Sequence, residues 1–248
     1  MTKEIVSDGM CWNVLECGQG ERQIVFLPGT LGSVEIFKKQ VEAFSANNRV
    51  IVLGYPGSSD LERLSDSFWG ILESMQVGEP HLVGSSLGAF LLQHFTSRSA
   101  HGAQSLVLGN TFVDSHRLRF LRPFDPEFVD HASAGQIKKV WLDFVEKLDS
   151  QELRSTLLPM VRDQQSEEEL YGRSLAISCL GPVPLSVVAP ERICILSCAD
   201  DPVCNEDIIA QVVSSYSRSR HVRLGSGAHY PHVMNPVEYN AALTAIMA

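Results

Sequence analysis

The stretch HLVGSSLGAFLLQHF, residues 81–95, decides how this chain folds. It opens on a short apolar run that reads as a buried strand, passes through G-S-S-L-G with no polar linker, and continues as an apolar helix. Gly84, Ser86 and Gly88 fit the pattern G-x-S-x-G. A turn that sharp holds its central serine in a strained conformation with the hydroxyl exposed, and glycines on either side let neighbouring backbone pass closely. The helix start also favours negative charge developing nearby. Ser86 is therefore the candidate nucleophile; Ser85 lacks the flanking glycine pair.

Outward from this stretch, similar β-branched runs recur at IVFL (24–27), VIVLG (50–54), SLVLG (105–109) and ICIL (193–196). Phe37, Val41 and Phe44, and then Leu64, Phe68, Ile71, Leu72 and Met75, fall at helical spacing between them. The alternation predicts an α/β fold, with a mostly parallel central sheet and helices on both faces. CWNVLECGQGERQIVFL (11–27) has a Gly-Gln-Gly turn between two strand-like halves, which predicts an antiparallel hairpin at the sheet edge.

From about Val113 to Pro190 the strand pattern stops. Ile137, Val140, Trp141, Phe144, Val145 and Leu148 mark one face of a helix. Leu153, Leu157 and Val161 mark a second, which Pro159 should kink. Ser166 and Glu169 have the spacing of a capping box and start a third. This block (113–190) reads as a helical cap inserted in a single domain spanning 1–248. The last helix starts at Asn235, with Pro236 in the first helical position and Glu238 following.

A nucleophilic serine needs a base. LGSGAHYPHVMNP places His229 on a small-residue loop after the strand-like HVRL, within reach of the carboxyl edge of a parallel sheet; His232 is the competing assignment. His81 and His94 read as structural. The partner that orients the imidazole comes from ICILSCADDPVCN, where Asp201 is preferred over Asp200, and Asp114 in NTFVD is a further candidate. Backbone donors for an oxyanion are assigned to Leu87, directly after the serine, and to Thr30, in the loop after IVFL. Trp141 and Phe144 read first as packing of the cap helix, with a pocket-lining role left open.

Composition narrows the partners. Twenty Lys and Arg against twenty-nine Asp and Glu give a net charge of −9, which repels nucleic acid and anionic membrane surfaces. The opening MTKEIVSDGM lacks the basic start and apolar run of a secretory signal, and no stretch of eighteen apolar residues follows, so a cytoplasmic location is expected. Cysteines at 11, 17, 179, 194, 198 and 204 form no CxxC pair and read as buried free thiols. No metal or cofactor is expected. The partner is a small-molecule acyl substrate, and the oligomeric state is left open.

FLPGTLG, GSSLG, ADDPV and GAHYPH, in the chain order Ser, Asp, His, resemble the α/β-hydrolase superfamily over essentially the whole length. Within it, YPGSSDLERLSDSF, HLVGSSLGAFLLQHF and LGNTFVD are similar to the maspardin group. The resemblance implies hydrolysis of carboxylic esters or related acyl compounds through an acyl-serine. Its alternatives are a non-catalytic binding protein and another reaction on the same fold: carbon–carbon bond hydrolysis, cofactor-free perhydrolysis or a lyase step. Two departures stand out. Pro28-Gly29 replaces the His-Gly of many members, removing a side chain that braces the loop. Animal maspardins are regarded as binding proteins with the histidine position replaced, whereas this chain keeps His229.

Overall fold

A computed structural model of the chain describes residues 2–98 and 102–248. Its eight strands are β1 (Thr2–Ser7), β2 (Met10–Cys17), β3 (Gln23–Leu27), β4 (Arg49–Gly54), β5 (His81–Ser85), β6 (Ser105–Gly109), β7 (Ile193–Cys198) and β8 (Arg220–Leu224). They form one sheet in the order β1-β2-β4-β3-β5-β6-β7-β8. β1 and β2 are antiparallel to their neighbours, and all pairs from β4 to β8 are parallel. β5, β6 and β7 are buried at every residue, as their apolar runs require when helices cover both faces of a parallel sheet.

The helices flanking the first half are α1 (Lys38–Phe44), α2 (Leu61–Ser74) and α3 (Leu87–Arg98). Between β6 and β7 come α4 (Pro126–Val129), α5 (Ala134–Glu146), α6 (Gln151–Pro159) and α7 (Glu167–Cys179); after β7 follow α8 (Glu206–Ser215), α9 (Pro231–Met234) and α10 (Pro236–Met247). α3 is buried from Leu87 to Thr96, so it is apolar all round instead of striped. Phe26, Phe37, Phe68, Phe90 and Phe95 are fully buried around the sheet. Trp12 is also buried, its indole N–H donating to Ser67 Oγ at 2.8 Å.

The edge hairpin differs from the sequence expectation. β2 and β3 are not paired, because β4 lies between them and bonds to both. The edge hairpin is instead β1–β2, closed by Asp8 (φ 47°) and Gly9 (φ 69°) between the paired Ser7 and Met10. Two consecutive positive φ values make the tight turn whose twist suits adjacent antiparallel strands. β1 is mostly exposed, so it carries no apolar alternation by which to recognise it.

The segment between β6 and β7 holds the expected helices. Ser166 and Glu169 form the expected capping box, and Ser133 and Gln136 form another on α5. α6 ends at Pro159, and one wide π-turn (Met160–Gln164) replaces a continued helix, consistent with the backbone donor that proline lacks. α10 begins at Pro236 as expected, but the Asn235 side chain donates to Glu238 Oε2 at 2.6 Å instead of capping the helix backbone. Cys194, Cys198 and Cys204 are buried, whereas Cys11 and Cys179 are exposed, contrary to the expectation; all six are free thiols. No helix among the described residues is long and apolar enough to cross a membrane.

Candidate active site

Ser86 joins β5 to α3 with φ 54°, in the left-handed region. A non-glycine residue there costs about 1–3 kcal/mol, so its surroundings must hold it. They do: the Ser86 N–H donates to Gly109 O at 2.8 Å, and the Thr111 hydroxyl donates to Ser86 O at 2.9 Å. The flanking glycines are needed for close approach. A Cβ on Gly88 would lie 2.4 Å from the carbonyl oxygens of Leu27 and Pro28, and one on Gly84 would lie 2.4 Å from Ala89 Cα.

His229 lies on the loop after β8, beyond Gly227 (φ 136°) and Ala228 (φ 49°). Its Nε2 is 2.9 Å from Ser86 Oγ, and its Nδ1 is 2.9 Å from Asp201 Oδ2 and 3.1 Å from Oδ1. A carboxylate only accepts, so Nδ1 carries the proton and Nε2 is left with its lone pair toward the serine hydroxyl. Asp201 follows β7, and its Oδ1 also accepts from the N–H groups of Val203 (2.8 Å) and Cys204 (3.0 Å). Burial alone would raise its carboxyl pKa; electrostatic attraction from the His229 ring and these hydrogen bonds outweigh burial and hold it below the usual carboxylate value.

The competing residues are placed elsewhere. Asp114 caps a short 3-10 turn (Ser115–Leu118), accepting from the His116 N–H at 3.0 Å. His232 is buried with its ring 4.7 Å from that of Phe37, and burial, reinforced by His229, pushes its pKa down to about 3. Asp200 is exposed and accepts from the N–H groups of Gly227 (3.2 Å) and Ala228 (2.9 Å), and so holds the loop that carries His229. Ser85 lines the same cavity as Ser86, but the His229 contact is to Ser86. His81 bonds Ser105 Oγ at 2.8 Å, and His94 is buried in α3.

Gly29 and Thr30 lie beside the serine: a Cβ on Gly29 would be 3.1 Å from Ser86 Cβ, and Thr30 lines the same cavity as Ser86 and His229. Neither the Thr30 nor the Leu87 backbone N–H donates to an acceptor among the described residues. Trp141 and Phe144 both line the cavity, so they serve the pocket as well as the helix packing. Cys204 is the nearest candidate metal ligand, grouped with Asp201 and His229 within 4.8 Å. Its thiol donates to Asn110 O at 3.1 Å, and burial, then the Asp201 charge, keeps it protonated. With the carboxylate and imidazole bonded to each other, the group acts as a hydrogen-bonded cluster.

No protein-family model matches the chain. Maspardin from Danio rerio is 28% identical over 246 residues, covering 94% of this chain and 77% of the relative. Among solved structures, the enol-lactonase from Burkholderia xenovorans superposes with a TM-score of 0.79 at 16% identity, covering 99% of each chain. A thermophilic esterase from Thermogutta terrifontis gives 0.78 at 16% identity, covering 100% of each. The chain has the α/β-hydrolase fold and is similar in sequence to the maspardins.

Two residues of this candidate site were not singled out from the sequence. Asn110 directly follows β6 with φ 41°, a conformation asparagine tolerates better than most residues. Its Nδ2 donates to Asp201 Oδ2 at 2.7 Å and to Ala228 O at 2.9 Å, tying Asp201 to the loop that carries His229. The signal available was an asparagine directly after a strand, in LGNTFVD. Arg173 of α7 is 3% exposed and has no carboxylate partner among the described residues. It donates to Thr30 O (3.0 Å), Tyr55 O (2.5 Å) and Gln165 Oε1 (2.6 Å), with its guanidinium 4.6 Å from the centre of the Tyr55 ring. Gln165 in turn donates to Leu31 O at 2.7 Å, and the Tyr55 hydroxyl to Pro28 O at 3.0 Å. These three side chains brace the loop at 28–31.

Proposed function

We propose that this α/β-hydrolase is a serine hydrolase acting on carboxylic esters or related acyl compounds through an acyl-Ser86 intermediate. The observation that carries the reading is the unbroken chain from Ser86 Oγ to His229 Nε2 (2.9 Å) and from His229 Nδ1 to Asp201 (2.9 Å). Ser86 Oγ bonds to the substrate carbonyl carbon as its proton passes to His229 Nε2. The carbonyl oxygen takes the negative charge, facing the N–H groups of Thr30 and Leu87, each such donor contributing about 10²–10³ in turnover. The bond to the leaving alcohol breaks, and the alcohol departs with the proton from His229. Water then attacks the acyl carbon, giving a proton to His229; the bond to Ser86 breaks, Ser86 regains that proton, and the carboxylic acid leaves. Asp201 keeps the imidazole in the required tautomer and faces its positive form.

In this reading, residues 113–190 are the cap of a single domain and enclose the acyl site. The acidic charge and free thiols support a small-molecule substrate in the cytoplasm. A fluorophosphonate probe with mass spectrometry tests the nucleophile: labelling at Ser86, lost in Ser86→Ala, supports the reading. An intact, folded chain that takes no label would overturn it and leave a binding role.

A further inference from the structure

Away from Ser86 and its polar neighbours, the walls of the cavity beside Ser86 are apolar. Leu118, Leu121, Phe124, Trp141, Phe144 and Leu148 line it from the segment between β6 and β7, with further apolar side chains opposite. No lysine, arginine, aspartate or glutamate lines it among the described residues. The one polar atom of Trp141 is turned away, since its indole N–H donates to Ser174 Oγ at 3.2 Å. Phe124 and Phe144 meet the Trp141 ring edge-on, with centroids 5.2 and 5.7 Å away, so the aromatic wall is packed.

The cavity volume is ≈ 90 Å³. An apolar protein cavity of about 150 Å³ holds one benzene, roughly 25 Å³ per carbon. By that scale the space beside Ser86 takes roughly four carbons. An anionic group would find no positive partner in the walls and would approach the Asp201 charge behind His229, so its desolvation would go uncompensated.

We infer that the cavity is a specificity pocket for an uncharged, apolar group of roughly four carbons flanking the scissile bond, making short-chain uncharged acyl compounds the substrate class. The inference rests on the serine hydrolase reading of the same site.

The test uses two ester series on the full chain: p-nitrophenyl esters of straight-chain acids, and acetates of straight-chain alcohols. In the series whose variable arm fills the pocket, kcat/KM should peak at three to five carbons and fall at least tenfold by eight, since a methylene that does not fit costs about 10-fold or more. The monosuccinyl p-nitrophenyl ester should be at least 100-fold poorer than the neutral ester of equal length. Phe144→Ala and Leu148→Ala alter half-buried side chains and should move the optimum to longer chains. A flat profile in both series, or a monosuccinyl ester turned over as well as its neutral counterpart, overturns the inference.

A binding measurement separates this from the hydrolase reading. Butyramide should quench tryptophan emission at concentrations where octanamide and succinamate do not, and Trp141→Phe should abolish the response. That discrimination in a protein hydrolysing no ester would uphold the pocket and overturn the hydrolase reading. Equal binding of all three amides would overturn the pocket.

Discussion

The Asn110 side chain bridges Asp201 and the backbone of Ala228, with Nδ2 2.7 Å from Asp201 Oδ2 and 2.9 Å from Ala228 O. One amide thus joins the segments that follow β6, β7 and β8, which carry Asn110 itself, Asp201 and His229. In the proposed mechanism Asn110 is a positioning residue. Asn110→Ala should lower kcat by about 10–100-fold with little change in KM, because Asp201 and the His229 loop lose their common tether. Asn110→Asp should lose more, since it sets a second carboxylate against Asp201. Equal kinetics for wild type and both variants would remove Asn110 from the site.

Replacements within the hydrogen-bonded chain should separate by role. Ser86→Ala should cost on the order of 10⁶ in turnover on an activated ester, and Asp201→Asn roughly 10⁴, because the imidazole then loses its correct tautomer. Asp114→Asn should leave the rate nearly unchanged. Asp200→Asn should cost about tenfold or less, since one acceptor oxygen remains for the two N–H groups it now holds. Steady-state kinetics on purified variants with matching circular dichroism checks the ranking; a crippled Asp114→Asn alone would contradict it.

Arg173 should matter to both stability and rate. Arg173→Met leaves the carbonyls of Thr30 and Tyr55 without their donor and should cost about 1–3 kcal/mol in urea unfolding, because loss of a buried unpaired charge and packing of the methionine offset part of the loss. Its effect on the folded enzyme should fall on kcat more than on KM, because the loop it braces carries the Thr30 N–H. A variant with reduced stability and unaltered kcat would confine Arg173 to folding.

His232 and His81 both contribute to the acid side of the stability profile. Burial lowers the pKa of His232 from 6.5 to about 3, with His229 adding to the shift, and that of His81 from 6.5 to about 4, with Arg22 adding. Below pH 6.5 the unfolded chain binds a proton at each, whereas the folded chain does not until near those lower values. Stability is therefore fully present above 6.5 and is lost as pH falls, by up to about 1.4 kcal/mol per pH unit for each group. In urea titrations between pH 6.5 and 4.5, His232→Phe should make the slope shallower by about one such increment. An unchanged slope would show that His232 is not neutral in the folded chain.

Much of the fold was legible because each parallel strand is a short apolar run and each crossover carries its own stripe. The turn at Ser86 was legible for a local reason: strand, tight turn and helix are consecutive, and its glycines answer to backbone within a few residues or one strand away. His229 and Asp201 could be named from their places after β8 and β7, but their sequence separation of 28 residues says nothing of a contact.

What the sequence determined by itself is what depends on periodicity and neighbours: an α/β architecture, a serine on a strained turn, a histidine and an acid on loops at one edge. Tertiary structure decided what depends on residues far apart in the chain. It inserted β4 between β2 and β3, because strand order is set by pairing across the whole sheet and not by adjacency in sequence. It turned the consecutive carboxylates of Asp201 and Asp200 toward different partners, His229 and the backbone at 227–228. It brought Arg173 143 residues along the chain to Thr30, and Asn110 to Asp201 across 91. A buried polar group must find its partner wherever packing supplies one, and no local pattern in the chain records where that will be.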